Sequence, residues 1–275
     1  MIELYYPGRE FVVASVTGKR CDLMCRHCNA RYLRHMQPTE SPEDLYSLAL
    51  NAEKEGSMGM LISGGSDRNG KVPLFDYLDK IKNIKKNTNL KVNLHTGFID
   101  EEDVEAMKRT GADVISFDVV GSANAVRNVY GLELAPDYFD TILSALTGAG
   151  MNVVPHVTAG LDGGSDSGED AALEVIAGHA VKMVIVNSLI PAPGQNLDGH
   201  RLVPVLEAAA KTLPGSARIG IGCMRPRDIE LPVERLGELR VSAVASPTPA
   251  LRNQLLHAGI ELMEMPGCCA FASVA

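Results

Sequence analysis

Short, β-branched apolar runs alternate with amphipathic helical stretches along this chain, and that alternation leaves few architectures open. Eight runs stand out, at residues 11–16, 59–63, 91–95, 113–117, 152–157, 182–187, 217–222 and 241–245. Each is short enough for a barrel strand. Repeated strand–helix units build parallel sheets covered by helices, so the pattern predicts an α/β fold, a closed (β/α)8 TIM-type barrel. At 275 residues and 45% hydrophobic content, the chain can bury a large core as one domain spanning residues 1–275.

The helices carry their own signals. Ser41 caps and Pro42 opens a segment in which Leu45, Leu48, Ala49 and Ala52 share a face, and Gly56 ends it. Asp100 precedes Glu101, Glu102 and Asp103, whose charges suit a helix N-terminus, with Val104 and Met107 inward and Gly111 at the stop. Phe139, Ile142, Leu143 and Leu146 form one apolar stripe, and Leu251, Leu255 and Ala258 another. These stripes read as core packing.

Charge and termini exclude several classes. The net charge is −8 and no Lys/Arg-rich block stands out, which argues against nucleic acid as the main partner. No apolar run reaches membrane-spanning length, and the N-terminus lacks the basic and apolar regions of a signal peptide, so a cytoplasmic protein without a membrane partner is expected. Six cysteines are too few for a disulfide scaffold and read better as ligands or catalytic groups.

Three of them, Cys21, Cys25 and Cys28, form a C-x3-C-x2-C run directly after the first strand. Three thiolates hold three corners of a 4Fe-4S cubane and leave one iron open to a small ligand. A zinc site, with His27 as a further donor, and plain buried thiols are the alternatives that the spacing leaves. A barrel sends the C-terminal ends of all its strands to one mouth. There the sequence places Ser63-Gly64-Gly65-Ser66, His95, Ser116 and Asp118, His156, Gly160, Asn187 and Cys223.

Taken in that order, the cysteine loop and the glycine run resemble the radical S-adenosylmethionine (SAM) enzymes. The resemblance implies a 4Fe-4S cluster on Cys21, Cys25 and Cys28, and SAM as a second cofactor. It implies Ser63, Gly64, Gly65 and Ser66 against the methionyl amino group, Ser116 and Asp118 on the ribose, and residues 157–160 against the adenine. His95, His156 and Asn187 would line the cavity. Family members usually carry an aromatic residue just before the third cysteine; here it is His27.

Cys223, in Cys223-Met224-Arg225-Pro226-Arg227, and the vicinal Cys268-Cys269 make a second set of three. With a tail, residues 260–275, folding over the mouth, they are expected to hold an auxiliary 4Fe-4S cluster, with Arg225 or Arg227 beside it. Such a barrel resembles biotin synthase and lipoyl synthase, and most of all the second radical-SAM subunit of the two-component lipoyl synthases, although the N-terminal C-x4-C-x5-C motif of the single-chain enzymes is lacking. The resemblance implies a sulfurtransferase that cleaves SAM to a 5′-deoxyadenosyl radical and inserts cluster sulfur into an octanoyl chain on a lipoyl carrier protein. Its partners would be the second subunit and a reductant such as ferredoxin or flavodoxin. Two other readings stand beside it: a radical SAM enzyme of cofactor biosynthesis that rearranges a carbon skeleton without sulfur transfer, and a non-catalytic iron–sulfur electron carrier.

Overall fold

A computed structural model describes residues 1–8, 10–192 and 201–274. The Gly- and Pro-rich loop expected after the sixth predicted strand, residues 190–200, lies mostly outside the described residues. Among the described residues eleven strands form one sheet: β1 Ile2–Tyr6, β2 Phe11–Ser15, β3 Gln37–Pro38, β4 Gly59–Ser63, β5 Lys91–His95, β6 Val114–Asp118, β7 Val153–Ala159, β8 Met183–Ser188, β9 Arg218–Ile221, β10 Val241–Ala245 and β11 Leu262–Pro266. All pairings are parallel, in the order β11-β1-β10-β9-β8-β7-β6-β5-β4-β2-β3.

Eight α-helices accompany the strands among the described residues. They are α1 Pro42–Lys54, α2 Leu78–Asn87, α3 Glu101–Lys108, α4 Ala123–Tyr130, α5 Tyr138–Gly148, α6 Glu169–Ala177, α7 Leu202–Thr212 and α8 Pro249–His257. The capping signals hold. Ser41 Oγ accepts from Asp44 N and Asp44 answers Ser41 N, and the same reciprocal pair joins Asp100 and Asp103. The stripe of α5 is fully buried, whereas Ala258 is exposed beyond the end of α8. No helix among the described residues is long and apolar enough to cross a membrane.

The sheet is curled but open, which corrects the closed eight-stranded barrel. Its edges are β11 and β3, and β1 and β2 do not pair. Only residues 7–10 separate those two strands, far short of the dozen or so residues that a parallel crossover needs. Strand β11 takes the free side of β1 instead, with Ile2 opposite Leu262 and Tyr6 opposite Pro266.

The tail is likewise corrected. It does not cross the mouth; it enters the curl from the opposite end. After Gly267 a short 3-10 helix, Cys269–Val274, fills the interior. The Phe271 ring stacks edge-on against Phe11 at 5.8 Å between centroids, and a Cβ on Gly59 would fall 2.8 Å from it. Asn152 Nδ2 donates to Ser273 Oγ at 2.8 Å, and Arg218 Nη1 to the Ala272 carbonyl at 2.9 Å. Phe11, Gly59 and Arg218 begin strands, and Asn152 directly precedes one. The plug therefore forms the floor of the curl, packed with Tyr5, Val114, Val154, Met183, Ile185 and Ala243.

Candidate active site

The cysteine loop is shaped by backbone conformation and by a close approach. Met24, Asn29 and Ala30 all adopt positive φ, 46°, 46° and 56°, so the chain doubles back around the thiols. Strand β4 delivers the glycine run against it: Gly65 N donates to Thr17 Oγ1 at 2.7 Å, and the Ser66 carbonyl accepts from Asp22 N at 2.8 Å. A Cβ on Gly65 would fall 2.6 Å from the Cys21 Cβ and closer still to the Arg20 carbonyl oxygen, so only glycine permits this contact.

Cys25, His27 and Cys28 bring their ligand atoms within 4.8 Å of one another. Cys21 lies outside that group but near enough for its charge to oppose ionisation of Cys25. A hydrogen bond from Cys25 holds the Cys28 thiol down at about 4, against the effect of burial and with help from His27. His27 Nδ1 is buried without a partner, and its ring meets Tyr130 edge-on at 5.5 Å. Two gathered thiols, a third on the same loop and a thiol pKa lowered at Cys28 fit an iron–sulfur cluster. The donor set by itself also suits zinc.

Above the floor, the strand ends carry polar groups. The His95 Nε2 and Asp118 Oδ2 atoms stand 3.0 Å apart, and His156 Nδ1 is 3.8 Å from Asp118 Oδ1. Burial by itself would raise the Asp118 pKa; the charge and hydrogen bond of His95 outweigh it and hold the carboxyl at about 2. Burial lowers His156 to about 4, and its Nε2 has no partner. Beside this triad a crevice is lined by Asp118, Gly121, Tyr130, His156, Val157 and Glu169.

Several expected residues are placed differently from one another. Ser63 Oγ donates to the His95 carbonyl at 3.0 Å. Ser116 is buried and donates to Asn93 Oδ1 at 3.0 Å, while Asn93 Nδ2 reaches Cys268 Sγ at 3.9 Å, so Ser116 faces the floor rather than the crevice. Asn187 is buried against Gly222, where a Cβ would collide with its Oδ1. Gly160, at φ 68°, donates to Glu169 Oε1 at 2.6 Å, and Ser167 N donates to Oε2 at 3.0 Å. Sequence reading missed Glu169, Asn93 and Thr17. A glutamate in the first turn of α6 looks like ordinary dipole compensation, and only its 2% exposure betrays the loop it ties.

Cys268 and Cys269 sit at the top of the plug, hydrogen-bonded to one another; that bond lowers Cys268 and, with burial, raises Cys269. Cys223 is solvent-accessible and close enough to both to interact electrostatically. Among the described residues the three do not gather as a ligand set, as Cys25, His27 and Cys28 do. Arg225 is 4% exposed and spends its guanidinium on the carbonyls of Gly222, Ala245 and Ser246; Arg227 binds those of Ser246 and Cys223. Both cations therefore brace the turn carrying Cys223.

The family model of the radical SAM superfamily matches residues 15–176, more than half of the chain. The chain belongs to the radical SAM superfamily. Curated relatives of this radical SAM chain include a biotin synthase from Thermotoga petrophila, 25% identical over 194 residues, 68% of this chain and 63% of the relative. Another is a biotin synthase from Persephonella marina, 26% identical over 125 residues, 45% of this chain and 36% of the relative. The chain thus matches less than two thirds of the length of either.

Solved structures with the same fold include the FeFe-hydrogenase maturase HydG from Carboxydothermus hydrogenoformans, with TM-score 0.66 and 15% identity over 99% of this chain and 69% of that one. Methylornithine synthase has TM-score 0.61 and 13% identity over 95% and 83%. At these identities the likeness is one of fold. Membership favours the cluster over zinc at the cysteine loop. With cluster and SAM bound, a radical SAM enzyme reductively cleaves SAM to a 5′-deoxyadenosyl radical.

Proposed function

We propose that this chain turns the 5′-deoxyadenosyl radical on a small polar substrate, in a cofactor-biosynthetic reaction that rearranges or fragments it without transferring sulfur. The observation that carries this reading is the chemistry of the space between plug and mouth. There His95, Asp118 and His156 bring their ligand atoms within 4.8 Å of one another, two imidazoles and a carboxylate rather than three thiols. An aliphatic chain laid against those groups would strip them of water without replacing its hydrogen bonds.

In this reading Ser63, Gly64, Gly65 and Ser66 present backbone to the SAM methionyl end, Asp118 accepts from the ribose hydroxyls, and the Val157–Gly160 stretch flanks the adenine in the adjoining crevice. Ser116, committed to Asn93, positions the floor instead.

A second reading has its own support. The plug lifts Cys268 and Cys269 into the interior within electrostatic reach of Cys223, as a sulfur-donating auxiliary cluster and lipoyl synthesis on an octanoylated carrier, with a second radical SAM subunit, require. Iron and sulfide per chain after anaerobic reconstitution separate the two. About four irons, unchanged in a Cys223/Cys268/Cys269→Ala variant that still forms 5′-deoxyadenosine, support the first reading. About eight, falling to about four in the variant, establish the second.

A further inference from the structure

Cys268 and Cys269 take no part in a reaction that transfers no sulfur, yet the fold sets them next to the polar site. Asn93 and His95 stand two residues apart on β5 and so point to the same face of the sheet, the inner one. His95 meets Asp118 at 3.0 Å, and on the floor side of it Asn93 Nδ2 reaches Cys268 Sγ at 3.9 Å. Cys268 is near enough to His95 for its charge to raise the imidazole pKa. Cys269 is buried beside it and hydrogen-bonded to it, on a plug fixed by the Phe271 ring and by Ser273. Two sulfur atoms are thus held together below the carboxylate proposed for the SAM ribose, whereas Cys223 is exposed.

We propose that the Cys268–Cys269 pair is the hydrogen-atom donor that ends the radical reaction. The inference rests on the reading without sulfur transfer, in which no auxiliary cluster claims these thiols. A rearrangement or fragmentation leaves a carbon radical that one hydrogen atom converts to product. An S–H bond is weaker than an aliphatic C–H bond, so the transfer runs toward carbon. In that step one S–H bond breaks, one C–H bond forms, and the unpaired electron stays on sulfur, shared between the two hydrogen-bonded atoms. One electron from the one-electron reductant that serves the Cys21/Cys25/Cys28 cluster, together with one proton, restores the thiol. The hydroxyl of the neighbouring Ser116 cannot substitute, because an alcohol O–H bond is stronger than the C–H bond to be formed. A place at the floor of the curl also keeps the sulfur radical from side reactions with solvent.

No substrate is required to test this, since a weak S–H bond also quenches the 5′-deoxyadenosyl radical when SAM is cleaved alone. Reconstituted protein is prereduced with dithionite, freed of excess reductant and given SAM in thiol-free D2O buffer, where S–H exchanges to S–D. Mass spectrometry of the 5′-deoxyadenosine from wild type should show one deuterium in most molecules. Cys268→Ser/Cys269→Ser keeps exchangeable protons but offers only strong O–H bonds, and its product should lose most of that label. Cys223→Ser should keep it. Iron content and circular dichroism show whether each variant is folded. Unlabelled product from wild type, or label that survives the double serine substitution, overturns the donor. Label lost in Tyr130→Phe and kept in the serine variant overturns it too, by assigning the transfer to the phenol of the crevice. So does a double variant that makes no 5′-deoxyadenosine, because a terminal donor acts after SAM has been cleaved. About eight irons in wild type, falling to about four in the Cys223/Cys268/Cys269→Ala variant, sink instead the reading without sulfur transfer on which the inference rests.

Discussion

His95 Nε2 and Asp118 Oδ2 meet at 3.0 Å across the neighbouring strands β5 and β6, just inside the mouth of the curl. Burial opposes charge on His95, and the Asp118 carboxylate overrides it, so the imidazole pKa lies above its usual 6.5. That contribution to stability is complete below pH 6.5 and is lost as pH rises through the folded His95 pKa. Asp118 behaves oppositely: its contribution is present above about pH 3.8 and is lost as pH falls toward about 2. Histidine NMR should show His95 titrating above 6.5 and His156 staying neutral down to about 4. A His95→Asn protein whose stability keeps the wild-type dependence between pH 6 and 8 contradicts this assignment.

Replacing Gly65 by Ala forces a methyl into the Arg20 carbonyl and the Cys21 side chain. Overpacking of this kind costs about 1–3 kcal/mol. The displaced atoms belong to the cluster loop, so iron retention should suffer more than the melting temperature. A Gly65→Ala protein that reconstitutes with wild-type iron and cleaves SAM at the wild-type rate rules out the clamp.

Phe271 is 6% exposed and closes the floor against Phe11 and Gly59. Truncating a buried phenylalanine to alanine costs about 3–5 kcal/mol. Denaturant unfolding of Phe271→Ala should show that loss, accompanied by faster labelling of Cys268 and Cys269 by thiol reagents. Unchanged labelling places the tail elsewhere.

Glu169 accepts from Gly160 N and Ser167 N while almost wholly buried. Glu169→Ala leaves two donors without partners, at about 1–3 kcal/mol each where the loop cannot rearrange to water. Glu169→Gln keeps one acceptor oxygen and should fall between. Because Gly160 flanks the proposed adenine crevice, SAM affinity measured by calorimetry should drop by an order of magnitude in the alanine variant at unchanged iron content. Equal SAM affinities refute a role for this loop in binding.

Local signals were legible where local physics decides. Ser41 and Asp100 cap as their sequences demand, three strands (Gly59–Ser63, Lys91–His95 and Val241–Ala245) begin and end where their apolar runs do, and Cys21, Cys25 and Cys28 gather in one loop because only eight residues hold them. The strands Ile2–Tyr6 and Leu262–Pro266 were missed, since a tyrosine pair and a Met-Glu-Met run carry little β-branched signal and both take their place by pairing with one another at the sheet edge. Ser116 and Asp118, two residues apart, look equivalent in sequence as mouth residues. One nonetheless donates to Asn93 above the floor, and the other is held between two imidazoles.

The sequence by itself determined the repeating strand–helix order, the helix ends and the cluster loop, because capping, periodicity and short-range spacing act within a dozen residues. Tertiary structure alone decided that the sheet stays open and that the tail enters from below. It also decided that Glu169 ties a loop nine residues away and that Arg225 braces a turn instead of facing a ligand. Those outcomes depend on which strand edge remains unpaired and which buried donors remain unsatisfied once the curl has formed, and no local pattern records either.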